Sequence, residues 1–166
     1  MENITLTNDI LDNTVFDSQT IRIPKVIHVR KGAILTLINC QVLILPGDTT
    51  IRDLTPLPSL VIDSGASIIA NNTRFESLTK LPDRTGGLFI LGTLDNEFPK
   101  QYLNYPTISS ESNVKPGRSR LINCRFTGLG DVFSEIGSLN LFNLSGSEIY
   151  IKNLNINHSE FVSLNV

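Results

Sequence analysis

One six-residue phrase recurs four times in this chain: Leu37-Ile38-Asn39-Cys40-Gln41-Val42, Ala70-Asn71-Asn72-Thr73-Arg74-Phe75, Leu121-Ile122-Asn123-Cys124-Arg125-Phe126 and Ile156-Asn157-His158-Ser159-Glu160-Phe161. It reads apolar, any, Asn or His, small, polar, apolar. A phrase that returns every few tens of residues marks supersecondary units that bury their apolar faces only by stacking on one another. A second phrase precedes the first two copies. Val29-Arg30-Lys31-Gly32-Ala33-Ile34-Leu35 aligns with Ile62-Asp63-Ser64-Gly65-Ala66-Ser67-Ile68 at an offset of 33 residues, which also separates Asn39 from Asn72. Glycine in this phrase serves a turn that needs positive φ, with a strand resuming directly after it. The next Asn-type slots follow at intervals of 51 and 35 residues, so the unit accepts insertions. Insertions near 46–59, 76–86 and 95–119 hold seven of the eight prolines.

Helical periodicity is almost absent. Short β-prone runs stand between Gly, Pro, Asn and Asp, among them Thr20–Ile23, Val26–Val29, Ile34–Leu37, Val42–Leu45, Leu60–Ile62, Ser67–Ala70, Gly87–Leu91 and Leu139–Phe142. This predicts an all-β chain. Regular strands with irregular insertions between them are what a parallel coil produces, because each circuit lays its strands on the previous one while loops leave the stack freely. The Asn slot then reads as a stacked corner, its side chains bonding to the bend and to each other. Leu37/Ala70/Leu121/Ile156 and Val42/Phe75/Phe126/Phe161 read as interior ladders. The expected organisation is one domain over 1–166, with 1–19 as an N-terminal cap and 20–166 as coils.

At these residues the chain resembles the right-handed parallel β-helix of the pectin-lyase-like superfold. Val26 to Asn39 looks like an opening coil, and Asp83-Arg84-Thr85-Gly86-Gly87-Leu88-Phe89-Ile90-Leu91-Gly92 is similar to a phrase in certain β-helix proteins, which often carry Trp where Thr85 stands. The resemblance implies about four coils with long loop insertions. It specifies fold better than function, since such helices serve as polysaccharide lyases and hydrolases, tailspikes, adhesins and assembly parts.

Composition excludes more than it selects. A formal net charge of -2, with Lys and Arg scattered, leaves no electrostatic footprint for nucleic acid. The N-terminus lacks a basic segment followed by an apolar stretch, and no apolar run is long enough for a membrane span. Cys40 and Cys124 share one slot of the repeat with Thr73 between them, so they are expected as free buried thiols about two strand spacings apart, beyond disulfide reach. No metal or cofactor is expected: His28 and His158 have no Cys or carboxylate at ligand spacing in the sequence. Gly86-Gly87 and Gly128-Leu129-Gly130 lack the strand-to-helix context of a phosphate loop and read as turns.

Carbohydrate-cleaving members of the resembled superfold carry clustered Asp residues and a Gly-His-Gly phrase, which are missing here. Asp63, Asp83, Asp95 and Asp131 are the carboxylates that stacking could bring together for glycoside cleavage, and solvated turn carboxylates are the plainer reading. The insertion 95–119 is the better candidate surface: Phe98, Lys100, Tyr102, Tyr105, Lys115 and Arg118 combine rings with cations, suited to a protein partner or a glycan. The last copy of the phrase is followed only by Val162–Val166, so an unpaired C-terminal strand edge is expected to take a partner or a copy of the chain. The expectation is a non-catalytic structural or adhesive component of a larger assembly, a virion or surface fibre. The alternative is a carbohydrate-binding or polysaccharide-cleaving protein.

Overall fold

The computed structural model describes residues 2–47, 57–80, 84–91, 117–131, 136–142 and 148–157. It is all-β, and no helix occurs among the described residues. The strands are β1 (Glu2–Thr5), β2 (Thr14–Asp17), β3 (Gln19–Ile23), β4 (Val26–Val29), β5 (Ile34–Ile38), β6 (Gln41–Ile44), β7 (Ser59–Ile62), β8 (Ser67–Asn71), β9 (Arg74–Ser77), β10 (Leu88–Leu91), β11 (Arg118–Thr127), β12 (Leu139–Phe142) and β13 (Glu148–Asn157). All pairings between these strands are parallel. A nine-stranded sheet runs β1-β3-β6-β9-β11-β8-β5-β2 with β13 beside β11, and a four-stranded sheet runs β12-β10-β7-β4. The larger sheet curls because β11 crosses its bend, pairing β8 through Arg120–Ile122 and β9 through Arg125–Thr127.

The chain visits three strand positions in turn and returns to the first one strand further along. Leu37 lies on Ala70, Val42 on Phe75 and Ile27 on Leu60, so the 33-residue period of the sequence is the spacing of paired strands. Circuits without insertions need only 17 or 21 residues, as Ile4 on Ile21 and Ile21 on Val42 show. Within the segment 1–19 expected as a cap, β1 lies on β3, Ile10 bridges Val29, and β2 lies on β5.

The interior is a set of apolar ladders, one side chain per strand. Ile21, Val42, Phe75 and Phe126 form one, all at most 1% exposed, and Ile27, Leu60, Leu88 and Leu139 form another. The four-stranded sheet is covered on both faces. Its outer side chains Val61, Phe89 and Leu91 pack with Leu57 and Ile136 in a second cluster. That double burial explains why β10 reads as the unbroken apolar run Leu88-Phe89-Ile90-Leu91. Just before β10, Gly86 and Gly87 are not turn residues. They thread between neighbouring segments, Gly86 N–H donating to Pro58 O at 3.0 Å and Leu88 N–H to Ser138 O at 3.0 Å.

The Asn slot owes its identity to backbone conformation. Asn39, Asn72 and Asn123 have φ of 53°, 50° and 53°, the left-handed region that Asn tolerates better than other residues with a Cβ. Ser18 at 55° and Asn153 at 55° occupy the same corner in the first and last circuits. The repeat therefore differs from its sequence reading at both ends. Phe16-Asp17-Ser18-Gln19-Thr20-Ile21 is an additional copy, and β13 stacks Asn153 on Asn123 and Ile156 on Phe126, where His158 and Phe161 were expected. His158 and Phe161 lie outside the described residues. The expected side-chain ladder is present in one step, Asn153 Nδ2 donating to Asn123 Oδ1 at 2.8 Å. Asn72→Val is expected to cost about 1–2 kcal/mol, whereas Asn72→Gly is expected to be nearly neutral; urea denaturation of both variants checks this.

The next slot needs a small donor for a physical reason. Cys40 donates to the carbonyls of Ile38 and Phe16, Thr73 to those of Asn71 and Leu37, and Cys124 to those of Ile122 and Ala70. Each side chain thus holds its single hydrogen within reach of one carbonyl two residues back and one in the preceding circuit. Both thiols are free and buried, and burial pushes the Cys124 thiol above its ordinary range against the lowering effect of its hydrogen bonds. Buried thiols of that kind are poor nucleophiles.

Candidate functional site

The densest polar cluster forms where two turns stack. Arg30 and Asp63 follow Val29 and Ile62, which are paired across β4 and β7. Both turns close with a hydrogen bond, Ala33 N–H to Arg30 O at 3.0 Å and Ala66 N–H to Asp63 O at 2.9 Å. Both place glycine third, Gly32 at φ 86° and Gly65 at φ 82°, as a type II turn demands. The parallel stacking therefore brings residues about one circuit apart into contact. His28 Nδ1 lies 2.7 Å from Asp63 Oδ1, and Arg30 Nη1 lies 3.1 Å from Asp63 Oδ2. Arg30 Nη2 in turn lies 2.6 Å from Asp9 Oδ2, and the His28 backbone N–H donates to Asp9 Oδ1 at 3.0 Å.

His28 and Asp63 are buried while Arg30 is partly open to solvent, so the cluster is a latch with its bolt on the surface. Asp9 belongs to the connection between β1 and β2, and through it the cluster fastens the outermost circuit to the body. That circuit lines an open hollow of about 410 Å³, with Leu6, Ile10 and Phe16 beside Asp9 and Asp12. Partial burial pushes the Asp9 carboxyl up, but the His28 N–H and the Arg30 guanidinium outweigh it and hold the group below its ordinary range. A depressed folded value means that this stabilisation is fully present above the unfolded carboxylate value of about 3.9 and is lost as pH falls through the lower folded one. Protection of the β1 and β2 amides, measured against their intrinsic exchange rates, is expected to fall below about pH 4, and Asp9→Asn is expected to remove most of that pH dependence.

Of the residues singled out for binding, Phe98, Lys100, Tyr102, Tyr105 and Lys115 lie outside the described residues. Arg118 opens β11 with its side chain 81% exposed, 3.6 Å from Glu148, a geometry worth little in water. Among the candidate carboxylates, Asp63 is engaged as above and Asp131 faces Arg84 at 3.3 Å, while Asp83 and Asp95 lie outside the described residues. Among the described residues no three metal-ligating groups converge.

Sequence reasoning missed the His28–Asp63 pair because the two lie 35 residues apart; adding the 33-residue period to position 28 arrives two residues short of it. It also missed the outer face of β11 and β13, where Arg120 lies 5.1 Å from the centre of the Tyr150 ring. The alternation Arg118-Ser119-Arg120 carried that signal, since period two sends both arginines to one face. No family model, curated protein or solved structure matches the chain.

Proposed function

We propose that the protein is a right-handed parallel β-helix that acts as a structural or adhesive component of a larger assembly, such as a virion or surface fibre. Three strand positions visited in turn, with parallel pairing throughout, support the coil, and the handedness rule for parallel crossovers supports its hand. The observation that carries the functional reading is the pair of strand edges at opposite ends of the stack. Among the described residues, β1 and β2 at one end and β13 at the other pair on one side only. Edges of this kind recruit further strands.

Of the carboxylates that could serve in glycan cleavage, the two among the described residues are engaged in ion pairs, Asp63 with His28 and Arg30 and Asp131 with Arg84. The adhesive surface is assigned to the insertion 95–119 with its aromatic and cationic residues. The test is incubation with a panel of acidic and neutral polysaccharides, reading new reducing ends and unsaturated products. No product is expected. Turnover that disappears in Asp63→Asn or Asp131→Asn would overturn the reading in favour of an enzyme, and co-sedimentation with an insoluble glycan without turnover would favour a carbohydrate-binding module.

A further inference from the structure

Among the described residues, the two ends of the stack carry opposite charge. Residues 2–17 hold Glu2, Asp9, Asp12 and Asp17 and no Lys or Arg. Asp9 is bound by Arg30, and the other three are exposed. At the far end, β11 and β13 hold Arg118, Arg120, Arg125 and Lys152 against Glu148 alone, all exposed. Four of the six exposed large apolar side chains among the described residues lie at the same two places: Leu11 (66%) and Val15 (64%) on the first circuit, Tyr150 (50%) and Ile151 (39%) on β13. The core itself is incompletely covered at both ends, with Leu6 and Phe16 half-buried at one and Ile149, Leu154 and Ile156 at the other.

We propose that a second copy of this chain docks head to tail, the edge of β13 in one copy lying alongside β1 of the next. This inference rests on the assembly reading and names its partner. The register supports it. One inward column runs Ile4, Ile21, Val42, Phe75, Phe126, Ile156, and one outward column runs Asn3, Thr20, Gln41, Arg74, Arg125, Asn155. Continuing the stack by one strand spacing of about 4.8 Å sets Ile156 on Ile4 and Asn155 on Asn3, apolar on apolar and amide on amide. The acidic circuit and the basic strands then approach within about a Debye length at moderate salt. Like ends repel, which disfavours a two-fold dimer, and a heterologous contact of this kind grows without closing.

Light scattering and sedimentation of the full chain over a concentration series test this. The average mass is expected to rise past twice the 18.3 kDa of the monomer without a plateau, and to fall as salt is added. D12K/D17K makes both ends basic and R120E/K152E makes both ends acidic, so each alone is expected to stay at monomer mass. Their equimolar mixture is expected to regain wild-type association, because each copy then offers the end that the other lacks. Unchanged circular dichroism shows that the variants fold. A mixture that stays monomeric, a variant that associates like the wild type, or a wild-type plateau at one or two copies would overturn the proposal. Those outcomes leave the assembly reading standing with a different partner. Glycan turnover by a chain that still self-associates would remove the assembly reading alone.

Discussion

Phe126→Ala is expected to lower the unfolding free energy by about 3–5 kcal/mol, the largest single loss in the molecule. Phe126 is fully buried and lies on Phe75 with ring centroids 4.7 Å apart and planes inclined by 8°. The separation is set by the parallel ladder joining β9 to β11, so two rings in one column must stack face to face. Truncating either ring leaves a void that neighbouring circuits cannot close, because their spacing is held by backbone hydrogen bonds. Phe75→Ala is expected to behave alike, and the double variant to cost less than the two losses added, since both remove the same contact. Urea denaturation measures all three. A loss under about 1 kcal/mol for Phe126→Ala would mean that the interior is not a stacked ladder.

Gly86→Ala is expected to cost about 3 kcal/mol, the upper end of the overpacking range. A Cβ there would stand 1.8 Å from Ser59 Oγ and 2.2 Å from Pro58 O. The hydroxyl could rotate away; the carbonyl could not, since it accepts from the Gly86 N–H. Relief requires separating the segment before β10 from the one before β7, which loosens the second apolar cluster around Phe89. Gly87→Ala meets two further carbonyls, Gly137 O at 2.5 Å and Ser138 O at 2.6 Å. Gly32→Ala is the control, because nothing lies within 4 Å of its Cβ and only the strain of φ 86° remains, about 1 kcal/mol. Thermal melts that place Gly86→Ala no lower than Gly32→Ala would refute the threading argument.

The period of 33 residues, the all-β character and the small-residue slot of Cys40, Thr73 and Cys124 were legible because each repeats one local demand at a fixed offset. The Asn slot was legible as a position but not as a cause. In a single sequence a left-handed corner and a hydrogen-bonding corner look alike, and Ser18 satisfies the backbone demand without matching the phrase. The last copy was misplaced by five residues, His158 for Asn153. Leu154 stands in the slot where a small donor was the signal, so the local pattern fails there and only the pairing of β13 with β11 sets the register. Arg118 could be named from its own segment, whereas Arg120, Tyr150 and the His28–Asp63 pair depend on which strand lies beside which.

What the sequence determined by itself is periodic and local: where strands run, where the chain bends, and which side chains face inward, because alternation, positive φ and apolar spacing act within a few residues. Only the tertiary structure decided which circuits touch. It set the register of β13, the burial of Asp63 between His28 and Arg30, the threading of Gly86, and the opposite charge of the two ends. Those follow from interstrand hydrogen bonds between residues 17 to 51 positions apart, and insertions of variable length hide such distances from any reading of one chain in order.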